Sequence, residues 1–297
     1  MPINAQLVDN PRSERVRRLA DLTNRKTRAR AGRFLIEGPQ SVREAVLWRP
    51  DAVSDLYVEV DGDGGGAATE VLRRIVDQAL DAGLYVHWAT GEVIRHISAD
   101  AQGILAVGVI DAMRPGEDGG LDGGEPHGVG LEGRQDGRGG MQVAAFWQVR
   151  DPGNAGTVIR SADATGCDAV VFVDDCVDVF NPKVVRSTVG SLFHVPVLTM
   201  GTDEFLDWAA GRGMDVWAAD VYGTERHRPR ELPQVLASLS AASRAVLFGN
   251  EARGLPSDVL DRVDDIVSIP LYGKAESLNL ATSASVMLMS LAMASHA

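Results

Sequence analysis

The chain has 297 residues, of which 45% are hydrophobic, and its formal net charge is -12. This length favours two domains, and the apolar fraction is enough for a sizeable core. The two cysteines, Cys167 and Cys176, cannot form a disulfide framework or a four-ligand zinc site by themselves, which favours a reduced, cytoplasmic protein without a metal.

The sequence also shows no pattern typical of a signal peptide or a membrane span. The first residues lack the basic start and apolar core of a signal peptide. The one long apolar segment, residues 278–297, carries polar side chains that suit a packed helix better than a membrane span. We therefore expect no association with a membrane.

The charge is unevenly distributed. Residues 12–33 contain eight arginines and one lysine against one glutamate and one aspartate, so this segment carries about +7. Such a concentration on an acidic chain indicates an anionic partner. A solvated basic helix explains the composition about equally well.

Helix-like and strand-like patterns alternate through the first 110 residues or so. The predicted helices are 13–23, 41–48 and 69–82, and the predicted strands are 33–37, 55–60, 84–88 and 103–110. The alternation indicates a small α/β domain, for which we expect the boundaries 1–112.

A glycine-rich stretch follows this domain. Residues 115–140 contain eleven glycines, many acids and almost no large apolar side chains. Such a segment cannot bury enough surface to offset its ordering entropy, so we expect a flexible acidic linker at 113–141. A phosphate-binding loop is the alternative, but no strand-loop-helix pattern surrounds it.

The pattern tightens from residue 142 to residue 297, the expected second domain. The predicted strands are 143–149, 169–173, 193–198, 216–219, 245–248 and 266–269. The predicted helices are 153–166, 181–188, 203–210, 257–263 and one from about 277 onward. Near-continuous apolar strands that alternate with helices predict a mostly parallel sheet covered on both faces.

Three polar segments follow strands of this domain. Ligands of open α/β sheets bind just beyond the carboxyl ends of the strands, so we expect these segments to form one site. In the first, residues 151–160, Asn154 is a suitable N-cap of a helix, and free N–H groups at the helix start favour an anion. Arg160 suits phosphate binding. Taken alone, a capped helix with an exposed arginine explains this segment better.

The second segment covers residues 247–256. Gly249 allows a ligand or another backbone to come close, and Glu251 can accept hydrogen bonds. An ordinary turn with a solvated glutamate is the simpler explanation of this segment alone.

The third segment covers residues 269–281. Ser277 is the natural N-cap there. Asn279 lies between two leucines, Leu278 and Leu280, so we expect it to be buried and to require hydrogen-bond partners. No segment of the chain matches a Walker loop, a dinucleotide-binding fingerprint or a zinc signature.

Together these segments resemble the SpoU, or TrmH, family of RNA ribose 2′-O-methyltransferases. The residues that carry the resemblance are Asn154, Gly156, Arg160 and Gly166; residues 248–251 with Gly254 and Leu255; and Ile269, Pro270, residues 277–279 and Ala281. Residues 181–186 and 190–196 also resemble the family. The N-terminal residues Asn24, Lys26, Arg28, Phe34, Glu37, Gly38 and Val42 are similar to a substrate-binding domain often attached to it.

The resemblance implies a sheet with a trefoil knot, S-adenosylmethionine as cofactor, a homodimer, and an N-terminal domain like certain RNA-gripping ribosomal proteins. The residues implied for the cofactor are Gly249, Asn250, Ile269 and Leu278. Those implied for the reaction centre are Arg160, Asn154, Glu251, Ser277 and Asn279. Contacts to the RNA backbone are expected from the basic segment, with Arg25, Lys26, Arg28 and Arg30 foremost.

The RNA class is expected to be 23S ribosomal RNA, with transfer RNA as the alternative. A non-catalytic RNA-binding relative, a base methyltransferase and an oxidoreductase are the rival functions. The long linker departs from the short connection that is usual for family members with two domains.

Overall fold

The computed structural model describes residues 3–62, 66–114 and 140–296. Nearly all of the predicted linker at 113–141 lies outside these residues. The described residues fall into two compact units. Residues 3–114 join with Asp178–His194 in the first unit, and the second holds residues 140–177 and 195–296. The expected domain boundaries stay a prediction.

The helices and strands of both units are numbered along the chain. The helices are α1 (Glu14–Ala20), α2 (Arg25–Ala31), α3 (Pro39–Trp48), α4 (Glu70–Asp81), α5 (Gly91–Ile97), α6 (Pro152–Ala164), α7 (Pro182–Ser187), α8 (Thr202–Gly211), α9 (Leu232–Leu236), α10 (Ser257–Leu260) and α11 (Leu280–Ser295). The strands are β1 (Ile3–Val8), β2 (Arg33–Glu37), β3 (Val53–Glu59), β4 (Tyr85–Ala89), β5 (Ile104–Val109), β6 (Gln142–Trp147), β7 (Ala169–Val173), β8 (Val197–Met200), β9 (Asp215–Ala219), β10 (Arg230–Glu231), β11 (Arg244–Phe248) and β12 (Asp265–Ser268).

The first unit is built on a five-stranded sheet in the order β1-β4-β3-β5-β2. Strands β1, β4 and β3 run parallel, and β5 is antiparallel to both β3 and β2. Apolar side chains of α1 and α5, among them Val16, Leu19 and Val93, pack with Leu35 and Leu105 of the sheet in one core. All predicted elements of this unit are present within a few residues of their expected bounds.

Three elements of the first unit were not predicted from the pattern: β1, α2 and α5. Helix α2 has no apolar face, because its sequence is RKTRARA and the side chain buried from it is that of Arg28. Strand β1 pairs only with β4, at the edge of the sheet. At six or seven residues each, these elements are shorter than the window of about 11–18 residues in which a helical period is recognised.

The segment Asp178–His194 belongs to the first unit through polar contacts. Asp178 Oδ2 accepts hydrogen bonds from the Arg28 guanidinium, the shorter at 2.5 Å. Arg186 Nη1 lies 2.8 Å from Glu37 Oε2. His194 Nε2 lies 3.2 Å from Glu44 Oε2.

The second unit is a seven-stranded sheet in the order β10-β12-β9-β11-β6-β7-β8. Every strand pair in it is parallel. The α/β class and the parallel sheet are thus confirmed, whereas the trefoil knot stays a prediction. Helices α6 and α11 pack together, and Ser161 and Ser285 share a 2.7 Å hydrogen bond between them.

Two further observations concern the described residues only. None of their helices has the length and apolar character needed to cross a bilayer. Within the same residues, no group of three or more His, Cys, Asp or Glu side chains could hold a metal ion.

Candidate active site

A cavity of about 490 Å³ opens at the carboxyl ends of three neighbouring strands of the second unit. Strands β9, β11 and β12 end at Ala219, Phe248 and Ser268, and all three residues line it. This is the edge at which parallel α/β sheets bind ligands. Its volume lies within the range of about 300–1,000 Å³ that is usual for small-molecule sites.

Residues 249–254 form a tight turn at the end of β11. The backbones of Asn250 and Gly254 exchange hydrogen bonds of 3.2 and 2.8 Å. A Cβ added to Gly249 would lie 2.5 Å from the carbonyl carbon of Gly254, and Gly254 itself has φ +65°. The close approach of two backbone segments requires glycine at position 249, and the left-handed conformation favours glycine at position 254.

Asn250 joins this turn to the end of β6. Its side chain is buried, and Nδ2 donates to the carbonyl oxygen of Gln148 at 2.8 Å. Its Oδ1 accepts from the N–H of Ala252 at 3.0 Å. A buried amide with both ends satisfied holds the two strand ends in one arrangement.

Three predicted site residues from distant parts of the chain, Asn154, Glu251 and Asn279, are joined by hydrogen bonds. Asn154 Nδ2 donates to Glu251 Oε1 at 2.9 Å, and Asn279 Nδ2 donates to Asn154 Oδ1 at 3.3 Å. Because a carboxylate only accepts, the amide nitrogen of Asn154 must face Glu251, which leaves its oxygen for Asn279. The prediction that the three segments come together is confirmed for these residues.

Two expected helix caps were wrong. The N-cap of α6 is Asp151, whose side chain accepts from the N–H of Asn154 at 2.8 Å. The side chain of Asn154 is therefore free to bind Glu251. Helix α11 begins at Leu280 instead of near residue 277, and its N-cap is Asn279, not Ser277.

Asn279 is also more exposed than expected. The interpretation of a buried asparagine in the middle of an apolar helix was wrong, because the residue precedes the helix and is exposed. Its Oδ1 accepts from the N–H groups of Ala281 and Thr282 at 2.9 and 3.4 Å. Its amide nitrogen remains for Asn154.

The cavity contains every residue expected to bind the cofactor. Gly249, Asn250, Ile269 and Leu278 all line it, together with Glu251 and Ser277. Asp220 was missed, although it follows strand β9 directly, as Gly249 follows β11. The same rule of polar residues beyond strand ends would have found it.

Among the predicted residues of the reaction centre, Arg160 neither lines the cavity nor takes part in the hydrogen bonds of Asn154, Glu251 and Asn279. It is exposed on α6. In the described part of the chain, its side chain has no hydrogen bond or ion pair. Six residues along an α-helix amount to about 240° of rotation, so Asn154 and Arg160 lie on different faces of α6.

The basic segment divides into exposed and anchored residues. Arg25, Lys26 and Arg30 are exposed on α2. Arg28 is only 2% exposed, and its Nη1 donates to the carbonyl oxygens of Leu22 and Thr23, both at 2.8 Å. With Asp178 as its third partner, Arg28 is engaged inside the first unit, which contradicts its expected contact with RNA.

Cys176 has an unreactive thiol. Cys176 follows strand β7, and burial raises the pKa of its thiol to about 11. The thiol is therefore neutral near pH 7, which makes it a poor nucleophile and metal ligand.

Comparison with known proteins identifies the family to which this chain belongs. Residues 141–289 match the SpoU rRNA Methylase family, and residues 13–106 match the MRM3-like substrate binding domain. The chain therefore belongs to the SpoU rRNA methylase family, which confirms the resemblance inferred from the motifs.

Individual relatives agree with this assignment. The chain is 40% identical over 139 residues to the 23S rRNA (guanosine(2553)-2′-O)-methyltransferase RlmP of Bacillus subtilis, a match that covers 47% of this chain and 53% of RlmP. It is 35% identical to the 23S rRNA (uridine(2479)-2′-O)-methyltransferase of Streptomyces viridochromogenes, over 48% of this chain and 49% of that protein. The chain thus spans about half the length of the curated relatives that it matches.

A solved structure matches the fold over nearly the full length. The AdoMet-bound rRNA methyltransferase from Sinorhizobium meliloti is 24% identical, with a TM-score of 0.73. The match covers 98% of each chain.

Proposed function

We propose that this protein transfers a methyl group from S-adenosylmethionine to a ribose 2′-hydroxyl of structured RNA, with 23S ribosomal RNA as its substrate. The observation that carries the proposal is the hydrogen-bonded set Asn154, Glu251 and Asn279 beside a cavity at the strand ends. Membership of the SpoU rRNA methylase family supports it.

The residues around the cavity fit the cofactor. Apolar side chains, among them Leu255, Leu260 and Met287, can cover an adenosine. The carboxylates of Asp220 and Glu276 also line the cavity and favour a cation. Bound S-adenosylmethionine supplies an electrophilic methyl group on a cationic sulfonium.

Glu251 acts as a positioning residue in this proposal. Its two carboxylate oxygens accept from the amides of Asn154 and Asn250, at 2.9 and 3.4 Å. The bond from Asn154 holds the start of α6 against the turn after β11, and the start of α11 is joined to it through the bond from Asn279 to Asn154. The target oxygen must lie in line with the methyl group at about 3 Å, so rigid supports matter for the rate.

Arg160 orients the substrate. A guanidinium is effectively always protonated, so it cannot take the proton from the 2′-hydroxyl. It binds the phosphate next to the target ribose and directs the 2′-oxygen, while the proton leaves to phosphate or water. Ser277, exposed at the cavity, holds the 2′-oxygen or Arg160.

The RNA backbone is bound by Arg25, Lys26 and Arg30 of α2. Their exposure leaves the charges available for phosphates, whereas Arg28 is withdrawn into the first unit. Affinity for RNA is expected to fall as the salt concentration rises, because binding releases counterions.

The functional form is a cytoplasmic homodimer with the site near the subunit interface. Helix α11 exposes the apolar side chains of Val286, Met289 and Met293, the last of which is 65% exposed. An apolar helix face of this kind is suited to a second copy of the chain. Arg160 on the neighbouring helix α6 is exposed and has no partner among the described residues, which is consistent with a site that is completed by the dimer.

The test is transfer of labelled methyl from S-adenosylmethionine to unmodified 23S ribosomal RNA and transfer RNA, with Arg160→Ala as comparison. Alkali cannot cleave 3′ of a 2′-O-methyl ribose, so the expected label appears in alkali-resistant dinucleotides and is lost in the variant. Label in mononucleotides would instead indicate base methylation. Absence of label on both RNAs, despite cofactor binding, would contradict the proposal.

A further inference from the structure

Two exposed tyrosines lie beside the cavity of the second unit. Among the large apolar side chains of the described residues, Tyr272 at 92% and Tyr222 at 77% are the most exposed. Tyr222 lines the cavity, and Tyr272 follows Leu271, which also lines it. Aromatic rings left in water next to a concave site indicate a binding surface.

The backbone that carries Tyr222 is held in place. Asp220 Oδ1 accepts from the N–H groups of Tyr222 and Gly223 at 2.8 and 2.7 Å. Gly223 has φ +64°, and a Cβ there would lie 2.3 Å from the carbonyl oxygen of His227. The N–H of Thr224 donates to that same oxygen at 2.8 Å. A ring on a preorganised backbone costs little ordering entropy when a ligand binds.

Cations accompany both rings. Arg226 and Arg228 are exposed on the loop of Tyr222, and their guanidinium groups have no partner among the described residues. Lys274 is exposed two residues after Tyr272. Glu225 and Glu276 offset part of this positive charge. A ligand of this surface must therefore be selected more by the two rings than by the net charge.

An aromatic face beside a cation is the arrangement that binds a single-stranded nucleotide. The base stacks on the ring, and the neighbouring phosphate meets the cation. Double-stranded RNA hides the faces of its bases and is recognised by its shape and backbone. The bases of a double helix therefore cannot stack on these two rings.

We propose that Tyr222 and Tyr272 form a stacking platform for unpaired RNA bases next to the target nucleotide. This inference rests on the proposed function and narrows its substrate to a loop or another single-stranded region. The platform also explains why Tyr222 lines the cavity in which the methyl donor is expected, and why Tyr272 directly follows a residue that lines it.

The test separates RNA binding from cofactor binding and from catalysis. Filter binding with an unmodified 23S ribosomal RNA transcript is measured in the presence of S-adenosylhomocysteine, which cannot donate a methyl group. Tyr222→Ala and Tyr272→Ala should each weaken RNA binding about tenfold, the order of one lost stacking interaction. Tyr222→Phe should retain wild-type affinity, because the ring remains.

A matched control is Tyr85→Ala, which removes a tyrosine that is 61% exposed on β4 of the first unit. It should leave the RNA affinity unchanged. Calorimetry with S-adenosylmethionine should give the same cofactor affinity for all variants.

Unchanged RNA affinity in both alanine variants would overturn the platform. So would weaker cofactor binding with normal RNA binding, since the rings would then serve the cofactor. RNA binding that depends on Tyr222 without any methyl transfer would refute the proposed activity but not the platform. A wild-type protein that binds no RNA would refute both.

Discussion

The two units use charged and polar side chains for different purposes. In the first unit, the buried guanidinium of Arg28 forms an ion pair with the partly buried carboxylate of Asp178. In the second, Asn279 donates to Asn154 and Asn154 donates to Glu251 at an exposed edge, and Arg160 has no partner among the described residues. A charge pattern in a sequence therefore indicates a binding surface only where the fold leaves the side chains unpaired.

The largest expected effect is on stability and comes from the ion pair between Arg28 and Asp178. Arg28→Ala should lower the free energy of unfolding by about 3–5 kcal/mol, because Asp178 and two carbonyl groups lose their shared donor. Denaturant unfolding measures this effect. Arg25→Ala, on the exposed side of the same helix, should leave the stability unchanged and weaken RNA binding; equal stability of the two variants would contradict the assignment of Arg28 as an anchor.

The polar network of the second unit should affect the rate more than the stability. Glu251→Gln keeps the shape but places an amide where two asparagine amides require acceptors. We expect methyl transfer to fall about 100-fold, the loss that a small misplacement of reacting groups causes. The measurement is single-turnover kinetics, and Asp207→Asn on the exposed side of α8 serves as control. A normal rate in Glu251→Gln would remove this residue from the site.

The turn after β11 should be destabilised by the addition of a single methyl group. Gly249→Ala places a Cβ 2.5 Å from backbone, which is expected to cost about 1–3 kcal/mol of stability and to weaken cofactor binding. Gly273→Ala is the matched control, since nothing lies within 4 Å of its added Cβ. Thermal shifts with and without S-adenosylmethionine would show the difference, and equal behaviour of the two variants would refute the packing argument.

The smallest effect concerns acid stability of the first unit. The hydrogen bond from His87 lowers the pKa of Asp55 below its ordinary value of 3.8, against the opposing effect of burial. A lowered folded-state pKa stabilises the protein above the unfolded-state pKa, and this contribution is lost as the pH falls through the folded-state pKa. Asp55→Asn should therefore flatten the dependence of unfolding free energy on pH below about pH 4. An unchanged slope would contradict the prediction.

Much of the fold follows from local patterns. Strands β2 and β7 were predicted with their observed bounds, because four or five consecutive residues in each are buried. Helices α2 and α5 were missed, since each has only seven residues, too few to show a helical period, and α2 also lacks large apolar side chains.

The structure brings the three predicted segments together but changes their local contacts. The segments around Asn154, Glu251 and Asn279 were identified correctly, but both helix caps were placed on the wrong residue. Several polar residues near each helix start are chemically able to cap it. At the start of α6, Asn154 is engaged with Glu251, 97 positions away, and Asp151 caps the helix instead.

By itself, the sequence determined the alternation of helices and strands, the parallel sheet and the three segments at its carboxyl edge. These properties depend on apolar periodicity and on glycine, which act over a few neighbouring residues. Only the tertiary structure decided that Arg28 is an anchor, that Asn279 is a cap and that Arg160 lies outside the cavity. The physical reason is that a long polar side chain reaches whichever partner the fold brings near, and for Arg28 that partner, Asp178, is 150 positions away.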